Sequence, residues 1–520
     1  MGEITVALDR NTRKILSGAT WLTVSAIILK VIGLIYKIPM SYILGDEGMG
    51  YFNSAYTVYT VFYIIGSAGI TKAVSILSAK SSPGEAKKIF SITFKLYFII
   101  GIALTMILIF FSRAFSILIS NENSFFTILA IAPSVFFVCL SGVIRGYLNG
   151  KARFAPIAIS ETIGGVSKLF LGLVLANYAS KCGFSLPIIS AFSIMGITLG
   201  SFLGFLYLYI YYAHESCDIK KEFIKTKSVI KEVAKIGIPI VLSSALSSLV
   251  NVIDLSLIMN RLTSSGYSES VSSVIYGNYT TLAVPMFTFA ATIINTVTMA
   301  SLPLIASSFA SRKYDQLEKS ADTTISIALF FSIPSFVAFL FFSPEILSLI
   351  FEITSATLGA AFLCTLSPAV LFYTFLSYAN TIHEGTGNVK YAVGSLIIGA
   401  LTKCVLSYVL IGNQNFGILG APLGTCISYM VSALISVHYL RKENRIKSTA
   451  TKYILKSFLP TSFSLLIAIT VKYYLKDLLG TRSSSLVILS VFALFYIVFS
   501  LFSTTNKKIR KLLSSKLTKN

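Results

Sequence analysis

Charge is scarce in this chain. Only 12% of its 520 residues are charged, against 55% hydrophobic ones. Acid is rarer than base, 21 residues against 43, and there are only 3 histidines and 1 tryptophan. With a mean hydropathy of +0.79, such a composition excludes an ordinary soluble globular protein and indicates a polytopic membrane protein. The net charge of +22 would suit nucleic acid. The basic residues are instead spread over loops between apolar segments, so no nucleic-acid partner is expected. The six cysteines (Cys139, Cys182, Cys217, Cys364, Cys404 and Cys426) show no CxxC spacing, which argues against a disulfide framework or a zinc site. There is no P-loop, no HExxH and no nucleophile elbow. No enzyme, cofactor or metal is therefore expected, and without a nucleotide-binding domain any transport is secondary or driven by the substrate gradient. The first apolar segment is too long for a signal h-region and lacks a small-residue cleavage site, so no cleavable signal is expected.

What the chain has in abundance is long apolar runs. Fourteen read as transmembrane helices: 15–37, 51–77, 89–111, 125–148, 156–178, 187–213, 236–259, 277–306, 321–342, 358–382, 391–411, 416–439, 453–475 and 484–503. The first two flank a short Gly-rich acidic loop, SYILGDEGMG. Lysine and arginine collect in alternate loops, among them Arg10, Arg13 and Lys14, then Lys80, Lys87 and Lys88, then the lysine cluster from Lys220 to Lys235. That asymmetry puts both termini in the cytoplasm. The fold class expected is all-α and polytopic, with two six-helix lobes followed by two extra helices. The domains are 1–213 (N-lobe), 214–235 (basic cytoplasmic linker), 236–440 (C-lobe) and 441–520 (the last two spans and a basic tail). The lobes read as weak parallel repeats. Gly50 falls on Gly277, with Leu77 on Leu304 and Ala79 on Ala306; at a slightly different spacing Gly150 falls on Gly385 and Lys168 on Lys403. Parallel repeats imply a cavity between the halves.

Polar residues within spans are the candidate site. Lys30 and Lys37 share one face of the first span, two turns apart. Lys168 and Lys403 lie near the middle of spans five and eleven, and Glu161 shares the face of Lys168. A lysine at mid-membrane costs about 2.5–3.5 kcal/mol on insertion scales, so this face needs a partner, a wet cavity or an anionic ligand. Span seven carries Ser244, Ser247, Ser248, Asn251 and Asp254 as one polar stripe. Together these residues suit a cationic cavity for an anionic substrate such as a diphosphate. The plainer alternative is local ion pairing with Glu161 and Asp254, helix-to-helix hydrogen bonding by Ser and Asn, and snorkelling by Lys37. Tyr56, Tyr59 and Tyr63, at three-four spacing in span two, read as packing or an interfacial belt before they read as a sugar platform. Arg145 and His383 sit at inner helix ends and read as loop anchors or gate contacts.

The opening KILSGATWLTVSAIILKVIGLIYKIPM, continuing ILGDEGMGYFNSAYTVYTVFYIIGSAGITKAVSILSAK, resembles the polysaccharide-transporter branch of the multidrug/oligosaccharidyl-lipid/polysaccharide exporter superfamily. IRGYLNGKARFAP with ETIGGVSKLFLG resembles its span-four-to-five segment, and HEGTGNVKYAVGSLIIGALTKCVLSYVL its counterpart in the second half. The resemblance implies a two-lobe, fourteen-helix fold and alternating access. It implies a polyprenyl-diphosphate-linked saccharide as cargo, with membrane lipids around it, and a groove for the lipid tail formed by 453–503. Lys30 matches the cavity-lining basic residue of the family's first span. A monomer is expected, with a coupling cation as a further candidate partner. The alternatives are a cation-coupled multidrug exporter and a non-transporting partner of envelope-synthesis enzymes.

Overall fold

The computed structural model describes residues 10–215, 225–351, 353–413, 416–444, 450–475 and 480–502. Among them the regular structure is helical, with no strand. Twelve described helices are long and apolar enough to cross a membrane. Two compact units divide the chain: one runs to Thr263 and takes in Tyr267–Gly277, and the other holds Ser264–Gly266 and everything from Asn278.

The first unit contains α1 (Arg10–Lys80), α2 (Pro83–Phe110), α3 (Ser112–Leu118), α4 (Phe125–Gly150), α5 (Ala155–Lys181), α6 (Leu186–Glu215), α7 (Thr226–Ser264) and most of α8 (Glu269–Asn278). The acidic stretch expected as a loop between spans one and two is instead a kink within α1. Gly45 alone leaves helical geometry, at φ 61° and ψ −175°, a conformation open essentially only to glycine. Ser82 and Glu85 form a capping box that starts α2. At the end of the unit holding Lys80, Ile70, Val74, Phe90, Tyr147, Leu208 and Tyr212 form a shared core. The Phe90 and Tyr212 rings stack there at 3.8 Å.

The second unit contains α9 (Val284–Ala310), α10 (Tyr314–Phe341), α11 (Ser343–Ile350), α12 (Ile353–Gly385), α13 (Val389–Ile411), α14 (Gly420–Asn444), α15 (Ala450–Leu475) and α16 (Thr481–Phe502). Between α8 and α9 the chain widens into a π turn, Tyr279–Ala283. Pro285 follows it, and a proline cannot supply the N–H that a regular turn would use. Val337, Phe342, Ala468, Ile488 and Phe492 pack α15 and α16 against α10 and α11. Lys472 closes on Glu345 at 2.5 Å in the same region.

The two units repeat their internal packing. A Cβ on Gly150 would lie 3.1 Å from the Ala79 nitrogen, and one on Gly385 would lie 3.4 Å from the Ala306 nitrogen. The helix pair α5–α6 recurs as α13–α14. Gly164 and Gly172 of α5 meet Gly200 and Gly196 of α6. At the same positions relative to Lys403, α13 carries Gly399 and Ser407, which meet Ser428 and Gly424 of α14. Small residues at four-residue spacing let helices approach closely where no hydrophobic force drives them together. A Cβ on Gly196 would come within 2.6 Å of the Gly172 Cα. We therefore expect Gly196→Leu to lower stability by about 1–3 kcal/mol. A thermal-shift measurement in detergent checks this, with Gly394→Ala as the control, since a Cβ at Gly394 meets nothing within 4 Å.

The split between units at Gly277 differs from the expected linker at 214–235. Helix α7 and most of α8 pack with the first unit. The sequence division concerns repeats, whereas this one concerns packing. The lysine cluster lies partly outside the described residues.

Candidate functional site

Helix α5 places Lys168 where α6 presses closest. A Cβ on Gly196 would lie 2.8 Å from the Lys168 carbonyl, and one on Gly200 3.2 Å from its nitrogen. The backbone of that turn is thus committed to α6, and the side chain leaves toward α1. There the Lys168 Nζ lies 5.1 Å from the centre of the Tyr36 ring and 5.4 Å from that of Tyr56. Tyr36 is fully buried, and its hydroxyl donates to the Ser193 carbonyl at 3.3 Å. Tyr56 is 39% exposed, so one side of this platform is open.

The platform continues along α1. Tyr36 packs on Phe52 at 6.0 Å, and Phe52 stacks on Tyr56 at 6.5 Å. Tyr59 and Tyr63 follow in steps of 5.9 Å. Lys37 is half-buried and within electrostatic reach of Lys168. A cation over an aromatic face gains about 0.5–2 kcal/mol, less than the cost of taking an ammonium out of water. Among the described residues Lys168 has no carboxylate partner. An anion seated against it would supply what the rings leave unmet.

The expected residues are only partly brought together. Lys37 and Lys168 share the site. Glu161 does not serve Lys168; it pairs with Arg145 of α4 at 3.4 Å. Arg145, read as a loop anchor or gate contact, thus ties the end of α4 to the start of α5, whereas His383, given the same reading, proves fully buried, against the Ser436 carbonyl at 3.0 Å. The α7 stripe divides: Ser248 and Asp254 are buried while Asn251 is exposed. Further along α7, Ser256 donates to the Leu118 carbonyl at 2.7 Å and secures the end of α3. Lys403 lies in the second unit, within electrostatic reach of Tyr429. The Tyr429 ring packs on Phe287 at 5.4 Å and Tyr373 at 5.5 Å, so each unit sets a lysine near aromatic rings. The side chain of Lys30 lies outside the described residues. Sequence reasoning missed Tyr36 and Tyr56 as the seat of Lys168, although the three-four tyrosine spacing was the available signal.

A second cluster ties α8 to α1. The Asn121 side-chain amide donates to Ser54 at 2.9 Å and to Ser273 at 3.4 Å, and Ser273 donates to the Glu47 carbonyl at 3.3 Å. The Asn123 backbone N–H donates to Glu269 at 2.9 Å, and Tyr51 bonds Glu47. The backbones nearly touch: a Cβ on Gly50 would collide with the Ser273 carbonyl, and one on Gly277 with the Asp46 carbonyl.

A sequence profile of lipid II flippase MurJ matches residues 40–492. The chain belongs to the lipid II flippase MurJ family. The chain is 21% identical over 450 residues to stage V sporulation protein B of Bacillus subtilis, covering 85% of this chain and 86% of that protein. It is 23% identical over 455 residues to the lipid II flippase MurJ of Bacillus subtilis, covering 83% of each. The fold is similar to a solved lipid II flippase MurJ in its inward closed conformation, with a TM-score of 0.73 and 19% identity, covering 95% of this chain and 99% of that one. MurJ-family proteins are multi-pass proteins of the plasma membrane that serve cell-wall and polysaccharide biosynthesis. They are flippases and transporters rather than enzymes.

Proposed function

We propose that this protein flips a polyprenyl-diphosphate-linked saccharide, a cell-envelope precursor, across the plasma membrane by alternating access. The observation that carries the reading is Lys168 held over Tyr36 and Tyr56. The ammonium answers a diphosphate, and the open side of Tyr56 suits the apolar face of a sugar ring. Lys37 adds a second cation, and we assign Lys30 to the same wall. Lys403, Asn251 and Asp254 are further proposed contacts, with fourteen spans and both termini in the cytoplasm. On that orientation the α1–α8 cluster is an outer closure, and the π turn before Pro285 absorbs its opening. Family membership supports the substrate class, since a relative in Bacillus subtilis is named for lipid II.

Complementation tests this reading. In a strain depleted of its own lipid II flippase, expression of this protein restores growth. Drug resistance without rescue, from protein that reaches the membrane, would favour the multidrug-exporter reading.

A further inference from the structure

Arg145 and Glu161 stand apart from the lysine and tyrosine site, and the transport reading gives them no task. Arg145 lies near the end of α4 and Glu161 near the start of α5. One contact joins them, Arg145 Nη1 to Glu161 Oε1 at 3.4 Å. An arginine committed to a carboxylate usually makes two parallel bonds of about 2.7–2.9 Å. Here the fork is largely unspent. The Arg145 Nε is buried and has no hydrogen-bond partner among the described residues. The Asn149 Oδ1, one turn on and on the same face of α4, is likewise buried and unsatisfied. Yet the two charged side chains are 23% and 30% exposed. Charge still accessible at a helix end inside the bundle belongs to a wetted surface that a ligand can reach.

The pair also has a path to Lys168. Glu161 and Lys168 share a face of α5, two turns apart and about 10 Å along the axis. Tyr59 lies within electrostatic reach of Arg145. From Tyr59 one ring step of 5.9 Å reaches Tyr56, the ring under Lys168.

We propose that Arg145 is a second anion station for the diphosphate, on the cytoplasmic side of Lys168, and that Glu161 is its resident counter-anion. This rests on the transport reading. An arriving diphosphate displaces the Glu161 carboxylate and takes the open fork of Arg145. When it moves up to Lys168, Glu161 returns. Exchange of one anion for another never leaves Arg145 without a counter-charge. It also keeps the station from holding the substrate too tightly to release it. The corresponding place in the second unit carries Asn380, which accepts from Ser436 at 2.7 Å, so this station belongs to the first unit alone.

The test uses the full-length protein in lipid nanodiscs, with a short-chain polyprenyl diphosphate bearing no sugar as the probe. Glu161→Gln is expected to bind the probe about tenfold more tightly and, in proteoliposomes, to transport lipid-linked saccharide about tenfold more slowly. Arg145→Gln is expected to bind about tenfold more weakly. The double variant is expected to keep the wild-type melting temperature and still fail to transport, because an ion pair this long and this accessible contributes little to stability. A purely structural pair gives other results: Glu161→Gln is less stable and binds no tighter, and the double variant transports normally. Either of those outcomes overturns the proposal. Lys168→Gln separates the two levels. Probe binding unchanged by Lys168→Gln sinks the transport reading itself. Binding lost with Lys168→Gln but unaltered by Glu161→Gln sinks only the assignment to Arg145.

Discussion

Lys168→Gln should abolish rescue of a flippase-depleted strain while leaving the protein in the membrane at wild-type levels. The amide keeps the length of the side chain, so the helix contact through Gly196 and Gly200 is undisturbed. What it loses is the charge over Tyr36 and Tyr56. A hydrogen bond to a charged group is worth about 1.5–3 kcal/mol, and the cation–π contact about 0.5–2 kcal/mol. The first is lost only with substrate bound, so substrate affinity should fall by roughly tenfold to a hundredfold. The free protein should become more stable, because a half-buried cation without a carboxylate partner among the described residues is removed. Loss of transport with an unchanged or raised melting temperature is the expected signature. Lys168→Arg should retain part of the activity, since the charge remains while the broader guanidinium fits the two rings differently. Full rescue by Lys168→Gln would mean that Lys168 does not bind the substrate.

Gly277→Leu should act through the conformational balance. The added side chain has no space where α8 lies on α1, because even its Cβ would meet the Asp46 carbonyl. Overpacking of this kind costs about 1–3 kcal/mol. The cost falls on the state in which α8 is docked, so the opened state gains by roughly a factor of five to a hundred and fifty. Transport should fall because the cycle stalls with the outer side open. Ser54 is buried in this cluster beside Asn121. In a Cys182→Ser background, Ser54→Cys should therefore react with a membrane-impermeant thiol reagent far faster when Gly277→Leu is also present. No change in labelling, with normal transport, would mean that this contact does not open during turnover.

Different parts of the molecule were legible in the sequence for different physical reasons. Apolar runs mark helices because an unpaired backbone is intolerable in lipid, and the twelve membrane-length described helices overlap expected runs, whereas the short helices α3 and α11 lie outside them. The repeat was visible in a few matched residues, of which Gly150 and Gly385 proved to be close-contact points in equivalent helix pairs. The kink at Gly45 was not legible as such, because a Gly-rich acidic stretch has the same composition whether it forms a loop or a single break. The unit boundary at Gly277 depends on two glycines far apart in sequence that let backbones touch, and no local pattern announces that.

The site was half legible. Lysines within spans were identifiable from their cost, and Lys37 and Lys168 do come together. The partner of Glu161 was not, because residues on one helix face suggest pairing along α5 whereas Arg145 reaches it from α4. Tyr56 was read, with Tyr59 and Tyr63, as packing or an interfacial belt, Tyr36 was not singled out, and packing is what both rings do. Their second role appears only once Lys168 is placed above them.

We propose that the protein carries a lipid-linked diphosphate saccharide from one leaflet to the other. The most direct measurement reconstitutes the purified protein in proteoliposomes with a labelled polyprenyl-diphosphate saccharide and follows its appearance in the opposite leaflet. The wild-type protein should flip it, Lys168→Gln should reduce the rate at least about tenfold, and an uncharged polyprenyl alcohol should not be flipped. Equal rates for the wild type, Lys168→Gln and protein-free vesicles would contradict this proposal.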